Sequence, residues 1–237
     1  MRKMESSHSW DLDRIVFIGR VWDEYMQMFH LVEADLAGRR ILDCPAGACS
    51  FTAGCNERGF DVTACDIAYY HPVTILEQKG LQDLETTISN MEKAEVQKNF
   101  RWDSFKSVDD LKQARRAALR DCTADMRRNP NRYIPAVLPI LPFRDEAFDL
   151  TLSAHFLFLY EDQLDYAFHV QALKELIRVT KEEIRIFPTT NFACERYGYL
   201  DQLIEEIRRL GWTAQEVRVP YEFQKNTNQM LVIRKEK

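Results

Sequence analysis

Apolar positions along this chain follow two alternating periods. Ile41-Leu42 ahead of Asp43, Val62-Thr63-Ala64-Cys65 ahead of Asp66, Phe148 to Ser153 and Glu183 to Phe187 are short bounded runs. They predict strands over 40–44, 61–66, 148–153 and 183–187. Weaker runs predict strands over 132–137, 216–219 and 230–234. Between them the apolar period lengthens to three and four residues. Phe17, Val21, Tyr25, Met28, Phe29 and Val32 form one stripe, which predicts a single helix over 11–37 closed by Gly38. Further helices are predicted over 50–58, from Asp162 to about Thr180, and over 196–210. Roughly sixty residues separate Asp66 from the next convincing strand, far more than an ordinary connection needs. Within them, 72–79, 81–98 and 108–128 read as helices. The last opens on a Ser107/Asp110 capping box and stops at Asn129-Pro130.

Strands alternating with helices in this order predict an α/β fold. The expected architecture is a doubly wound, mostly parallel seven-stranded sheet with helices on both faces and an antiparallel C-terminal pair. At 237 residues, the chain is expected to form one domain over 1–237, with an N-terminal helical cap at 1–38 and a helical insertion at 72–130.

Composition changes this picture little. No apolar run approaches membrane-spanning length, and Met1 to His8 turns polar at once, so no leader is expected. Six cysteines form no Cys-x-x-Cys pair. Cys44, Cys49, Cys55 and Cys65 read as small buried hydrophobes kept reduced in a cytoplasmic protein, and no metal site is expected. The net charge of −5 argues against nucleic acid as partner. Lys112, Arg116 and Arg120 do share one helical face, with Arg115, Arg127, Arg128 and Arg132 near. Acids at 109, 110, 121 and 125 interrupt that face and no aromatics interleave, which predicts a solvated surface over an RNA site.

Chemistry concentrates where an open α/β sheet binds ligands, beyond the C-terminal strand ends at the reversal of strand order. The residues so placed are Pro45, Ala46 and Gly47 after the first strand, Asp66 and Ile67 at the end of the second, Val137 and Leu138 after the third, and Ser153, Ala154, His155 and Phe156 after the fourth. A dinucleotide fingerprint would need glycine where Pro45, Gly47 and Ser50 stand, and Pro45 has no N–H for a phosphate. A nucleoside without phosphates needs only one close backbone approach, at Gly47, and one carboxylate for the ribose hydroxyls, at Asp66. Asp66 also suits a turn or helix-cap role. His155 is the candidate general base, and His169, mid-helix, reads as structural.

The segment Asp43-Cys44-Pro45-Ala46-Gly47-Ala48-Cys49 resembles the first motif of the class I SAM-dependent methyltransferases, keeping its middle glycine. Leu141 to Ser153 resembles the stretch leading into that family's fourth strand, and Lys174 to Val179 the helix before its fifth. The three lie in the family's order. The resemblance implies a Rossmann-like fold and S-adenosylmethionine as cofactor. It implies methyl transfer to an unidentified small-molecule acceptor, by alignment and exclusion of water more than by side-chain chemistry. It further implies that Asp43 holds the glycine turn or reaches the methionine ammonium through water. Leu138 would contact adenine through its backbone, since Val137 stands where the family often has an acid. Arg20 and Tyr25, with Trp22, would cover the cofactor, an aromatic face gaining cation–π attraction from a sulfonium. The alternatives are a non-catalytic SAM-binding or regulatory protein, an RNA-modifying methyltransferase, and a nucleotide-dependent oxidoreductase, which Pro45 and Ser50 oppose.

Overall fold

In the computed structural model, which describes residues 15–236, seven strands form one sheet. They are β1 (Arg40–Asp43), β2 (Asp61–Asp66), β3 (Tyr133–Pro135), β4 (Phe148–Ala154), β5 (Thr180–Phe187), β6 (Trp212–Arg218) and β7 (Gln229–Lys235), in the spatial order β3-β2-β1-β4-β5-β7-β6. The first five run parallel, with Ile41 level with Val62 on one side and Leu150 on the other. β7 is antiparallel to both β5 and β6. The sheet is therefore mostly parallel but not strictly doubly wound: a C-terminal hairpin replaces the last crossover. Strand order reverses between β1 and β4, which opens a crevice above their C-terminal ends.

The helices are α1 (Trp22–Met28), α2 (Glu33–Leu36), α3 (Phe51–Arg58), α4 (Val73–Met91), α5 (Ala94–Gln97), α6 (Val108–Arg128), α7 (Tyr166–Val179) and α8 (Leu200–Arg209). Both sheet faces are covered, so the strands are apolar on both sides. Ile41, Val62, Leu150 and Val232 pack under Tyr25, Phe29 and Phe51. Their strand neighbours Leu42, Cys65, Ile184 and Leu231 pack under α7 and α8 through Leu173, Leu176, Leu200 and Leu203. This period-two division is what fixes the register, because a one-residue slip would turn each set to the wrong layer.

Three expectations are corrected. The helix expected over 11–37 is not one helix: 15–21 has no helical structure, α1 and α2 are short, and residues 11–14 lie outside the described part of the chain. Residues 72–79 and 81–98 are not two helices split at Gly80. α4 runs through, and a Cβ at position 80 would lie 2.6 Å from Leu119 Cδ1, so the glycine lets α6 approach. α7 starts at Tyr166 with Asp165 as its cap, accepting the Phe168 N–H at 2.7 Å, and not at Asp162. The Ser107 cap of α6 forms as expected, its hydroxyl accepting the Asp110 N–H at 3.1 Å.

Candidate functional site

The crevice is a cleft of about 440 Å³. The turn between β1 and α3 makes its floor. Gly47 adopts a left-handed φ of 54°, with nothing within 4 Å of where a Cβ would sit. That conformation favours glycine and keeps the ligand side of the turn open. Most of the turn's own N–H groups are spent inside the protein. Ala46 donates to Cys65 O at 3.0 Å, Cys49 to Ala46 O at 3.1 Å, and Ser50 to Arg20 O at 3.0 Å. Gly47 donates to Asp66 Oδ2 at 2.8 Å, while its carbonyl accepts the Tyr69 hydroxyl at 2.8 Å. Within the turn itself Pro45 has no N–H, and Ala46, Gly47 and Cys49 have committed theirs, in contrast to a nucleotide-binding glycine loop.

Asp66 lines the cleft and serves the turn at once. Its Oδ1 accepts the Ala68 N–H at 2.8 Å, capping the 3₁₀ turn Ile67–Tyr70. Each oxygen keeps a second lone pair for a ligand. Burial pushes its carboxyl upward, against the Ala68 and Gly47 N–H bonds and the Lys79 charge. Ala46, Ile67, Val137, Leu138, Arg20 and His155 also line the cleft.

Tyr25, Asp43 and Ser153 do not line it; all three are buried behind its wall. The Tyr25 ring stacks on Phe51 at 4.8 Å, and the Trp22 ring also stacks on Phe51, at 5.4 Å. The α1 aromatics thus face a helix residue and offer no platform to a ligand. The Tyr25 hydroxyl donates to Asp43 Oδ1 at 3.1 Å. Burial raises the Asp43 carboxyl well above the ordinary carboxylate range, and its Oδ2 is buried without a partner. Asp43 packs beneath the turn. His169 is structural, its ring nitrogens meeting Leu157 O at 2.8 Å and Asp165 O at 2.7 Å.

His155 follows β4 in a left-handed φ of 51°, its N–H donating to Phe187 O at 2.6 Å. A histidine held there carries backbone strain, a feature that concentrates at functional sites. Part of its ring faces the cleft, while Nδ1 is buried without a partner. Burial, then the charges of Arg20 and Arg115, hold its imidazole well below the ordinary value. The ring is neutral and able to accept a proton or a hydrogen bond.

The segment 15–21 lies across the cleft as a strap. The Phe17 N–H donates to Asp83 Oδ2 at 2.7 Å, the Val16 N–H to the Tyr160 hydroxyl at 3.4 Å and the Arg20 N–H to Cys49 Sγ at 3.3 Å. A Cβ on Gly19 would lie 1.9 Å from Ala48 O, so strap and turn meet backbone to backbone. Gly19, Lys79, His71, Tyr160 and Phe168 were not anticipated as parts of the site. A glycine in a stretch with no room for helix packing was the available signal for the first. The others come from elements distant in sequence.

The cations of α6 are paired. Lys112 and Arg116 meet Glu85 at 2.8 and 2.9 Å, Arg127 meets Glu77, and Arg120 meets Asp121 at 2.8 Å. Arg115 is buried and holds Glu24 of α1 through two bonds, one of 2.9 Å. Among the described residues no helix is long and apolar enough to cross a membrane, and no group of three or more metal-ligating side chains gathers.

No model of a known protein family matches the chain. The uncharacterized protein MJ0045 of Methanocaldococcus jannaschii is 36% identical over 225 residues, which cover 95% of this chain and 98% of that one. Among solved structures, the 1,6-didemethyltoxoflavin-N1-methyltransferase of Burkholderia thailandensis, with bound 1,6-didemethyltoxoflavin and S-adenosylhomocysteine, matches with a TM-score of 0.51. The match is 14% identical and covers 91% of this chain and 80% of that one. The N-methyltransferase NodS of Bradyrhizobium japonicum WM9, in complex with S-adenosylhomocysteine, gives 0.47 at 11% identity, covering 91% and 87%. At 14% identity the Burkholderia thailandensis likeness is one of fold: a Rossmann-like methyltransferase fold.

Proposed function

The chain belongs to one family with the Methanocaldococcus jannaschii protein, and on that premise we propose that it is an S-adenosylmethionine-dependent methyltransferase acting on a small molecule. One observation carries the reading. At the strand-order reversal of a methyltransferase-like sheet, the glycine turn spends most of its N–H groups internally and still presents an open backbone and a carboxylate. That fits an adenosyl group without phosphates and disfavours a dinucleotide.

The residues present suit that cofactor. Asp66 would take the ribose hydroxyls with its free lone pairs. Gly47 and Ala46 would admit the ligand against the turn, and Ile67, Val137 and Leu138 would enclose the adenine. When bound, the cofactor supplies an activated methyl group on a sulfonium. The protein's part is positional. The strap closes over the turn and excludes water, Arg20 and His155 face the space beyond it, and neutral His155 accepts the proton of an acceptor that must lose one.

Isothermal titration with S-adenosylmethionine and S-adenosylhomocysteine tests the binding. Turnover against a panel of small acceptors, followed by S-adenosylhomocysteine release, tests the activity. Heat without turnover across a broad panel would favour a non-catalytic binder.

A further inference from the structure

A second cavity, of about 130 Å³, adjoins the cleft. The two share Val16, Ile18, Arg20, His155 and Tyr160 as a common wall. The rest of the second cavity is built from the buried faces of α4 and α6 and from the 219–227 connection; Leu84, Ile88, Leu111, Tyr221 and Phe223 make it mostly apolar and aromatic, and Thr87, Arg115, Gln224 and Thr227 add polar groups. An apolar cavity of about 150 Å³ takes up one benzene ring. This one therefore suits a single ring or a short branched chain, and excludes a nucleotide or a macromolecule.

Some of the lining residues carry polar atoms that are not spent. Arg20 Nε, His155 Nδ1 and Thr87 Oγ1 are buried without a hydrogen-bond partner. The cavity's other guanidinium is committed: Arg115 is bonded to Glu24, which also accepts the Tyr221 hydroxyl at 2.7 Å. Arg20 forms no ion pair among the described residues, and no carboxylate lines the cavity beside it. Arg20 is half-buried, and the Glu24 carboxylate whose charge reaches it is held by Arg115, so at a cavity wall its guanidinium is open to an anion from outside. The alternative, a packing void, would not need Arg20, His155 and Thr87, each with an unsatisfied polar atom, in its lining.

We propose that this cavity is the acceptor chamber and that its ligand is a small organic acid, with its ring or short-chain body among the aromatics and its carboxylate on Arg20 at the wall shared with the cofactor cleft. The proposal rests on the methyltransferase reading for its role and on the chamber alone for its chemistry.

The test is calorimetry on the full chain saturated with S-adenosylhomocysteine, using benzoate and benzamide as probes at neutral pH. Benzoate should bind about tenfold or more tighter than its neutral isostere, the range of one charge-assisted bond. Arg20→Gln should bring the two probes to within about twofold. Thr87→Phe, which fills the chamber from α4, should weaken benzoate about tenfold or more while S-adenosylhomocysteine still binds, and that retained binding reports a folded protein. Equal affinity for the two probes, a preference surviving Arg20→Gln, or displacement of benzoate by S-adenosylhomocysteine would overturn the chamber and leave the cofactor reading standing. If S-adenosylhomocysteine gives no heat but benzoate binds with the same dependence on Arg20 and Thr87, the chamber holds and the cofactor reading fails.

Discussion

Asp66 carries two duties that substitution should reveal together. Its oxygens hold the Gly47 and Ala68 N–H groups and line the cleft. Asp66→Ala should weaken S-adenosylhomocysteine by about 1–3 kcal/mol and lower the melting temperature as well, since two N–H groups lose their acceptor. Unchanged affinity in titration would remove Asp66 from the binding site. Gly19 is a purely steric case. Its missing Cβ accommodates Ala48 O, so Gly19→Ala should cost about 1–3 kcal/mol in denaturant melts through displacement of the strap. A variant as stable as the parent would mean the strap is not seated as described. His155 makes a pH prediction. Its imidazole is held well below 6.5 by burial and by two arginines. As pH falls below about 6.5, the unfolded chain takes up a proton that the folded chain does not. The stability linked to this group is therefore complete above that pH and declines below it, by up to about 1.4 kcal/mol per unit. His155→Gln should flatten that part of the urea-midpoint profile; an unaltered slope would show that folding does not hold the ring neutral. Asp66 and Gly47 were legible in the sequence because a strand, a turn and an acid at fixed spacing announce their own geometry. Tyr25 was misplaced because an aromatic on a covering helix has no sequence mark telling ligand from Phe51.

At the scale of elements, the parallel strands and the long helix α6 were readable from period and capping. The N-terminal segment was not. Phe17, Val21 and Tyr25 fall at helical steps, yet Phe17, Gly19 and Arg20 belong to an extended strap whose N–H groups go to Asp83 and Cys49. Tertiary hydrogen bonds take up part of its backbone, and no local pattern reports them. α1 begins only where Glu24 can accept the Val21 N–H at 3.1 Å. The same Glu24 clamps α1 to α6 through buried Arg115, and to the C-terminal connection through Tyr221. Glu24→Ala leaves that guanidinium buried and uncompensated and should cost about 3–5 kcal/mol, whereas Glu24→Leu combined with Arg115→Met should recover most of the loss. Chemical denaturation of the single and double variants checks this. A double variant as unstable as the sum of the singles would contradict a clamp that acts as a pair.

Over the whole molecule, sheet and layers place one cleft at the reversal of strand order and one chamber beside it. The cleft was foreseeable, because the position of ligands in an open α/β sheet follows from topology alone. The chamber was not, since its walls come from α4, α6, the strap and the 219–227 connection, which meet only after folding. The C-terminal hairpin was underestimated in length. β6 begins at Trp212, whose inward packing depends on β7 extending to Lys235 as its partner. The central claim concerns this whole arrangement: a turn with most of its N–H groups already spent, under a strap, selects an adenosyl group without phosphates. The most direct measurement is isothermal titration of the full chain with S-adenosylhomocysteine, NAD and FMN under one set of conditions. Saturable one-to-one heat with S-adenosylhomocysteine and none with the two phosphate-bearing cofactors is the predicted result. Binding of NAD or FMN, with no heat from S-adenosylhomocysteine, would contradict it.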